Sequence, residues 1–327
     1  MTRTLTFEAE TFPISGTFTI SRGSKTVAEV VTVTIREDAA AGRGECVPYR
    51  RYGETLDSVR QAIGAAAPEI AGGASRADLA AILPAGAARN AIDCALWDLE
   101  AKATGRSVAD RLGVTPKPLV TAYTLSLGEP EAMAAQAKAN ATRPLLKVKI
   151  GGGEADIARI RAVVQAAPLS RIILDANEGW TPRDVIANLR VAAELGVALV
   201  EQPLAAGEDA MLGDFEHPLP VCADESVHTA SDLERLSRLY DMVNIKLDKA
   251  GGLTAAIELR DRARALGLGV MVGCMVGSSL AMAPAMLLAQ DADFVDLDGP
   301  LLLARDREPC LAYEGSTVLP PDRALWG

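Results

Sequence analysis

The sequence predicts an α/β protein in which a closed parallel barrel follows a small α+β domain. Three observations carry this expectation. The chain opens with strand-like alternation and then a clear helix; further on, eight apolar strands alternate with helical patterns; and those strands end in charged residues. With 327 residues the chain can bury one large core and one smaller one.

The first forty or so residues alternate in the manner of paired strands, and the run Val27 to Ile35 is rich in β-branched residues. Gly42, Gly44 and Pro48 read as punctuation after it. A helix is expected over Asn90 to Lys102, with Ile92, Ala95, Leu96 and Leu99 on one face and Gly105 able to stop it. Strands followed by a helix give an α+β unit over residues 1–115, ending at the linker Thr115 to Pro118.

From there to residue 300 the rhythm is strand–helix. Apolar strands ending in polar residues are expected at 120–127, 145–150, 171–177, 199–203, 221–226, 242–248, 270–275 and 294–299. Between them lie helical patterns such as Ile157, Ile160 and Val164, and a capping box formed by Ser231 and Glu234. Eight strands recurring about every two dozen residues fit a closed parallel barrel, whose site is built at the strand C-termini. An open doubly wound sheet would instead need a Gly-rich phosphate turn after its first strand, and Leu125-Ser126-Leu127-Gly128 supplies none. Gly151, Gly152 and Gly153 read as a flexible loop.

Composition removes several function classes. A formal net charge of -10 argues against a nucleic-acid partner, which needs a basic footprint. No apolar run is long enough to cross a bilayer, and no basic segment precedes an apolar stretch at the start. Cys46, Cys94, Cys222, Cys274 and Cys310 are odd in number and scattered, which favours reduced thiols and a cytoplasmic protein. His217 and His228 are the only histidines, so acid/base chemistry must rest on lysines and carboxylates.

Those groups sit at the strand ends in pairs two residues apart, so each pair shares one side of its strand. The pairs are Lys147 and Lys149, Asp175 and Asn177, Asn244 and Lys246, and Asp296 and Asp298. If the alternation is in phase with the barrel, they face its interior, and such burial requires mutual neutralisation or a cation. Asp175, Glu201 and Asp224, on consecutive strands, make an oxygen-rich set suited to magnesium. Lys149 lies one strand before this set and Lys246 one strand after, so a closed barrel puts them on opposite sides of a molecule held there. A lysine acts as a base only when its pKa falls, and Lys147 and a bound cation would both push that way.

The segments KVK (147–149), DAN (175–177), VEQP (200–203), ADES (223–226), NIKLDKAGG (244–252), GCM (273–275) and DLDGP (296–300), with the helical run ALWDLEAKATG (95–105), resemble the muconate-lactonizing subgroup of the enolase superfamily. Within it the dipeptide epimerases are most similar. The resemblance implies a modified TIM barrel, (β/α)7β, with an N-terminal α+β capping domain and a segment 301–327 that returns to the cap. It implies one Mg2+ per site held by Asp175, Glu201 and Asp224. Lys149 and Lys246 become the acid/base pair, and Lys147 supports the first of them. An early loop near Pro13 to Lys25 would cover the barrel mouth.

The implied reaction is inversion at the carbon beside a carboxylate, one lysine removing a proton and the other returning one to the opposite face. Asp296 and Asp298 would hold a substrate ammonium, as in dipeptide epimerases; the alternative is that they bond to lysines or backbone amides. Arg22 would meet a glutamate side chain, as in L-Ala-D/L-Glu epimerases, the alternative being a solvated loop arginine. The expected partner is a small dipeptide, with neither nucleic acid nor membrane, and a homo-oligomer is allowed. The resemblance also points to peptidoglycan peptide recycling. A racemase of N-acylamino acids or a cycloisomerase is the second reading, and a non-catalytic barrel that binds a small acid is the third. Met275, Val276, Ser278 and Ser279 face either the pocket, the core or a helix cap.

Overall fold

The computed structural model describes residues 3–151 and 153–327. Its N-terminal unit is a three-stranded antiparallel meander, β1 (Arg3–Ile20), β2 (Gly23–Glu37) and β3 (Ala40–Cys46). Two helices, Leu56–Ala71 and Ala87–Thr104, pack on one face of it. Val31, Val33 and Ile35 alternate inward from β2 and meet Ile63, Ile70, Ile92, Leu96 and Leu99, which forms a core separate from that of the barrel. Gly105, at φ 73°, ends the long helix in the left-handed conformation.

Gly42 and Gly44 do not punctuate; they lie inside β3. A Cβ on Gly42 would sit 2.1 Å from Ala95 O, and one on Gly44 2.1 Å from Ala91 O. The strand therefore rests directly on the backbone of helix Ala87–Thr104, and only glycine permits that approach. The expected loop from Pro13 to Lys25 is also strand. It is the far end of the β1–β2 hairpin, with a register shift between Pro13 and Phe18 and a two-residue turn, Ser21 and Arg22, between the paired Ile20 and Gly23.

The second unit contains β4 (Leu119–Val120), β5 (Tyr123–Leu125), β6 (Leu145–Lys149), β7 (Arg171–Asp175), β8 (Leu199–Glu201), β9 (Val221–Ala223), β10 (Met242–Ile245), β11 (Gly269–Val272) and β12 (Phe294–Val295). Strands β5 to β12 run parallel in sequence order, and Ala122 N donates to Val295 O at 2.8 Å across the seam between first and last. The barrel is closed. The expected first strand, 120–127, is split. Leu119 and Val120 pair antiparallel with β14 (Thr317–Val318), which pairs with β13 (Tyr313–Glu314) in a small separate sheet.

Helices link most strands, but the crossover after β8 holds only a 3₁₀ turn, Ala210–Asp214, and that after β9 a four-residue helix, Leu233–Leu236. The capping box there is Thr229 with Asp232, not Ser231 with Glu234. After β12 the one helical segment among the described residues is a 3₁₀ turn, Gly299–Leu302, with no α-helix, and the tail crosses to the first unit. Ala304 N donates to Pro13 O at 2.8 Å, Arg307 Nη2 reaches Glu10 and Glu45, and Trp326 Nε1 donates to Cys94 O at 3.0 Å. Gly151 (φ 102°) makes a close approach, since a Cβ there would lie 2.3 Å from Ala176 O; Gly152 lies outside the described residues. Among the described residues, no helix is long and apolar enough to cross a membrane, and all five cysteines are free.

Candidate active site at the C-terminal mouth of the barrel

Strand parity sorts every barrel residue. Ala122, Leu145, Ile173, Leu199, Cys222, Met242, Met271 and Phe294 form one inward layer that plugs the N-terminal end with apolar side chains. Odd offsets such as Leu146, Val148, Leu174, Val200, Val243 and Val270 face the helices. Two residues beyond the plug, the interior turns polar with Thr124, Lys147, Asp175, Glu201, Asp224, Asn244 and Asp296. Each of these is at most 6% exposed. β11 offers Gly273 at this level, and a Cβ there would fall 2.6 Å from Asn244 Oδ1. Its absence leaves room for Asn244 Nδ2 to donate to Glu201 Oε1 at 2.7 Å. The strand-end charges are therefore in phase with the barrel.

The register places Lys149 beside Asp175 and Asp175 beside Glu201. Lys149 Nζ donates to Asp175 Oδ2 at 2.6 Å, and Lys246 Nζ to Asp224 Oδ2 at 2.6 Å. Lys147 Nζ lies among three carboxylates, 2.7 Å from Glu201 Oε2, 2.8 Å from Asp296 Oδ2 and 3.1 Å from Asp175 Oδ2. The two candidate acid/base lysines thus sit on strands either side of the three acids.

Ionisation follows this packing. Burial opposes charge on Asp175 and Asp224, but Lys149 and Lys147 at the first, and Lys246 and Lys249 at the second, hold both below the usual carboxylate range. Burial, with Asp175 adding repulsion, pushes Glu201 up to about 7. Lys246 is shifted the other way from a free base. Burial works against its charge, yet Asp224 outweighs that and holds it above the usual lysine value.

The expected magnesium ligands are gathered at one level, but their oxygens do not converge. Among the described residues, no three acidic, histidine or cysteine side chains form a ready cation site, because ammonium groups lie between them. The donor set nonetheless fits a hard cation. Glu201 Oε2 touches Lys147 only as an ion pair and, with Asn244 Oδ1, has no hydrogen-bond partner despite full burial. Buried oxygen atoms without a hydrogen-bond partner, one of them on the Glu201 carboxylate, are what a divalent ion would satisfy.

Asp296 and Asp298 behave partly as the structural alternative foresaw. Asp296 Oδ2 accepts from Lys147, and Asp298 Oδ2 accepts from Thr124 N at 2.6 Å. Asp296 Oδ1 is buried and unpartnered, and burial together with Asp296 pushes Asp298 up to about 7. Arg22, at the hairpin turn, reaches the barrel mouth, where its side chain is 27% exposed and held by four hydrogen bonds. Its Nη1 donates to Asn177 O (2.8 Å) and Glu178 Oε2 (3.1 Å), and its Nη2 to Glu225 Oε1 (2.6 Å) and Tyr49 OH (3.1 Å). Ser278 is the N-cap of helix Ser279–Leu288, Ser279 N donates to Asp306, and Met275 packs with Phe12, Ile14 and Val47 between cap and barrel.

Three residues beside the lysines and Asp224 were missed. Lys249 is 2% exposed and donates to Asp224 Oδ1 at 2.5 Å and to Asn244 O at 3.0 Å, so Asp224 is held by two lysines. Its position three residues after Lys246, within one helical turn, was the available signal. Glu225 presents a buried, unpartnered Oε2 beside Asp224. Phe18, from the hairpin, lies with its ring centroid 5.9 Å from Lys149 Nζ and covers it.

Fold and site together define a capped parallel α/β barrel with a lysine–carboxylate centre at its mouth. Residues 2–113 match the mandelate racemase / muconate lactonizing enzyme N-terminal domain, and residues 132–303 the enolase C-terminal domain-like family. The chain belongs to the mandelate racemase and muconate lactonizing enzyme family of the enolase superfamily. It is 47% identical to the L-Ala-D/L-Glu epimerase of Escherichia coli strain K12, over 95% of this chain and 98% of that one. It is 46% identical to an N-acetyl-D-glutamate racemase of Pseudoalteromonas, over 91% and 95%. A crystal structure of an Agrobacterium tumefaciens enolase family member with homology to dipeptide epimerases, containing sodium and L-Ala-L-Glu with an ordered loop, superposes with a TM-score of 0.98. That protein is 56% identical, and the match covers 99% of this chain and all of the other.

Proposed function

We propose that the protein is an isomerase that epimerises dipeptides, with L-Ala-L-Glu and L-Ala-D-Glu as its best substrates. The observation that carries this is the pair Lys149 and Lys246, on strands flanking Asp175, Glu201 and Asp224 inside one closed barrel. The similarity to the Escherichia coli epimerase and to the Agrobacterium protein with L-Ala-L-Glu supports the same reading. Asp175, Glu201 and Asp224 would hold Mg2+, the ion named with dipeptides in related epimerases such as that of Enterococcus faecalis. Bound there, the ion supplies a positive charge that stabilises negative charge developing on a substrate carboxylate.

The residues of the chain divide the remaining work. One lysine removes the proton on the carbon beside the carboxylate, and the other, as ammonium, delivers one to the opposite face, which inverts the centre. Lys147 neutralises the acids around the first lysine. Asp296 and Asp298 take the substrate ammonium, Asp296 through its free Oδ1. Arg22 meets the glutamate side chain, which must compete with Glu225 for Nη2. Phe18, over Lys149, helps exclude water. The protein works in the cytoplasm on a small-molecule partner.

A second reading, racemisation of N-acylated glutamate, is favoured by the 46% identity to the Pseudoalteromonas racemase. The two differ at the amine, which only the dipeptide offers to Asp296 and Asp298. The test is to incubate purified protein with Mg2+ and either L-Ala-L-Glu, L-Ala-L-Leu or N-acetyl-L-glutamate, and to follow epimers by chiral chromatography. Fast conversion of L-Ala-L-Glu, lost on exhaustive chelation and restored by Mg2+, supports the proposal. Preference for N-acetylglutamate would replace it with the second reading, and full activity after chelation would remove the metal from it.

A further inference from the structure

The ends of the neighbouring strands β7 and β8 carry three non-glycine residues with positive φ. Asn177 and Glu178 are consecutive left-handed residues, at φ 45° and 67°, and Gln202 on the neighbouring strand end has φ 37°. Left-handed backbone costs energy in residues with a Cβ and persists where surrounding contacts impose it. Here Glu178 N donates to Gln202 O at 2.9 Å and Asn177 N to Asp175 Oδ1 at 3.0 Å. The turn throws the Glu178 side chain upward, out of the barrel and against the cap.

What it meets there comes from two separate cap segments. Arg51 grips it with two parallel bonds, Nε to Oε2 at 2.7 Å and Nη2 to Oε1 at 2.6 Å. Arg22 Nη1 donates to Oε2 at 3.1 Å. From the barrel side, Ala206 N donates to Oε1 at 2.8 Å. The carboxylate is 9% exposed although Arg51 is 38% exposed, so the pairing is shielded on the Glu178 side. Ser21 Oγ and Arg22 Nη1 both donate to the adjoining Asn177 O, at 3.2 and 2.8 Å. The hairpin turn is otherwise an exposed two-residue tip.

We propose that Glu178 is a clasp that fastens the cap hairpin and the Arg50–Tyr52 segment to the barrel, and that by fixing Arg22 Nη1 it aims Nη2 at the substrate side chain. Glu178 is thus a positioning residue for acidic specificity, and this last part rests on the reading of Arg22 given above. A bidentate arginine–carboxylate pair suits the role because it fixes orientation as well as distance.

The test combines hydrogen exchange with kinetics on the full-length protein. In Glu178→Ala, amide deuterium uptake over residues 17–25 should rise about tenfold, as expected for loss of charge-assisted bonds holding a local element. The KM for L-Ala-L-Glu should rise by a similar factor of about ten while kcat changes little, since the reacting lysines are untouched. Glu178→Gln, which keeps an acceptor for Ala206 N, should be intermediate. Arg51→Ala, an exposed change that spares the strained loop, should raise uptake over 17–25 in the same direction. Combined with Glu178→Ala, it should add little. Unchanged uptake in both Glu178→Ala and Arg51→Ala overturns the clasp whatever the activity. Raised uptake with an unchanged KM for acidic dipeptides overturns the aiming of Arg22. If the wild-type protein does not favour acidic dipeptides at all, the exchange result still decides the clasp, and it is the reading of Arg22 that fails.

Discussion

Asp298→Asn tests the proposal that Asp298 meets the substrate ammonium and not the metal. In the structure Asp298 Oδ2 accepts from Thr124 N at 2.6 Å, and the carboxyl is pushed up to about 7 by burial and by Asp296. An asparagine can keep the Thr124 bond through its amide oxygen, so the fold around it should survive. Its amide nitrogen would then face the pocket as a donor, where a substrate ammonium needs an acceptor. A charge-assisted hydrogen bond contributes about 1.5–3 kcal/mol, so Kd or KM for a dipeptide with a free amine should rise roughly tenfold to a hundredfold. The assay is calorimetric titration of L-Ala-L-Glu and, separately, of Mg2+ into wild type and variant. N-Acetylated L-Ala-L-Glu is the control and should lose little. Equal weakening of both peptides, or a loss of Mg2+ affinity with peptide binding intact, would refute the placement of the ammonium at this pair.

Two further predictions concern the frame that positions the site. Gly44→Ala places a Cβ 2.1 Å from Ala91 O, a backbone atom that cannot rotate away, so the cap should lose at least about 1–3 kcal/mol, read as a lower thermal midpoint. An unaltered midpoint would show that β3 is not seated on that helix. His217 is raised above its ordinary value mainly by its hydrogen bond to Asp241, and Asp241 is lowered despite its burial, His217 being the main cause. A histidine raised on folding contributes stability below about pH 6.5 that is lost as pH rises through its folded value. Thermal midpoints of wild type and His217→Asn should therefore differ more at pH 6 than at pH 9, and the opposite trend would contradict the pairing.

Much of this architecture was legible because side-chain parity in a strand is strict. Once Leu145 and Ile173 are placed inside, Lys147, Lys149 and Asp175 have nowhere else to point. The same parity carries Asp296 and Asp298 inward. What parity cannot reveal is distance between backbones, so Gly42 and Gly44 passed for turn residues although they allow a strand to lie on a helix. Overlapping signals also misled. Thr229-x-x-Asp232 and Ser231-x-x-Glu234 both match a capping box, and only the first is used. Charge compensation was hidden as well. Sequence order puts three acids on three strands, but the placement of Lys147 and Lys249 among them depends on side-chain reach across the barrel. Glu178 escaped notice because its role comes from a left-handed backbone that no residue preference announces.

On the proposed mechanism Lys149 and Lys246 address opposite faces of one carbon, and α-proton exchange in deuterium oxide distinguishes the two faces. Lys149→Ala and Lys246→Ala should each fail to epimerise L-Ala-L-Glu. Each should still exchange deuterium into the glutamate α-carbon of one epimer, seen by proton NMR, and the two variants should choose opposite epimers. Retained epimerisation in either variant, or exchange of the same epimer by both, would rule out this lysine pair.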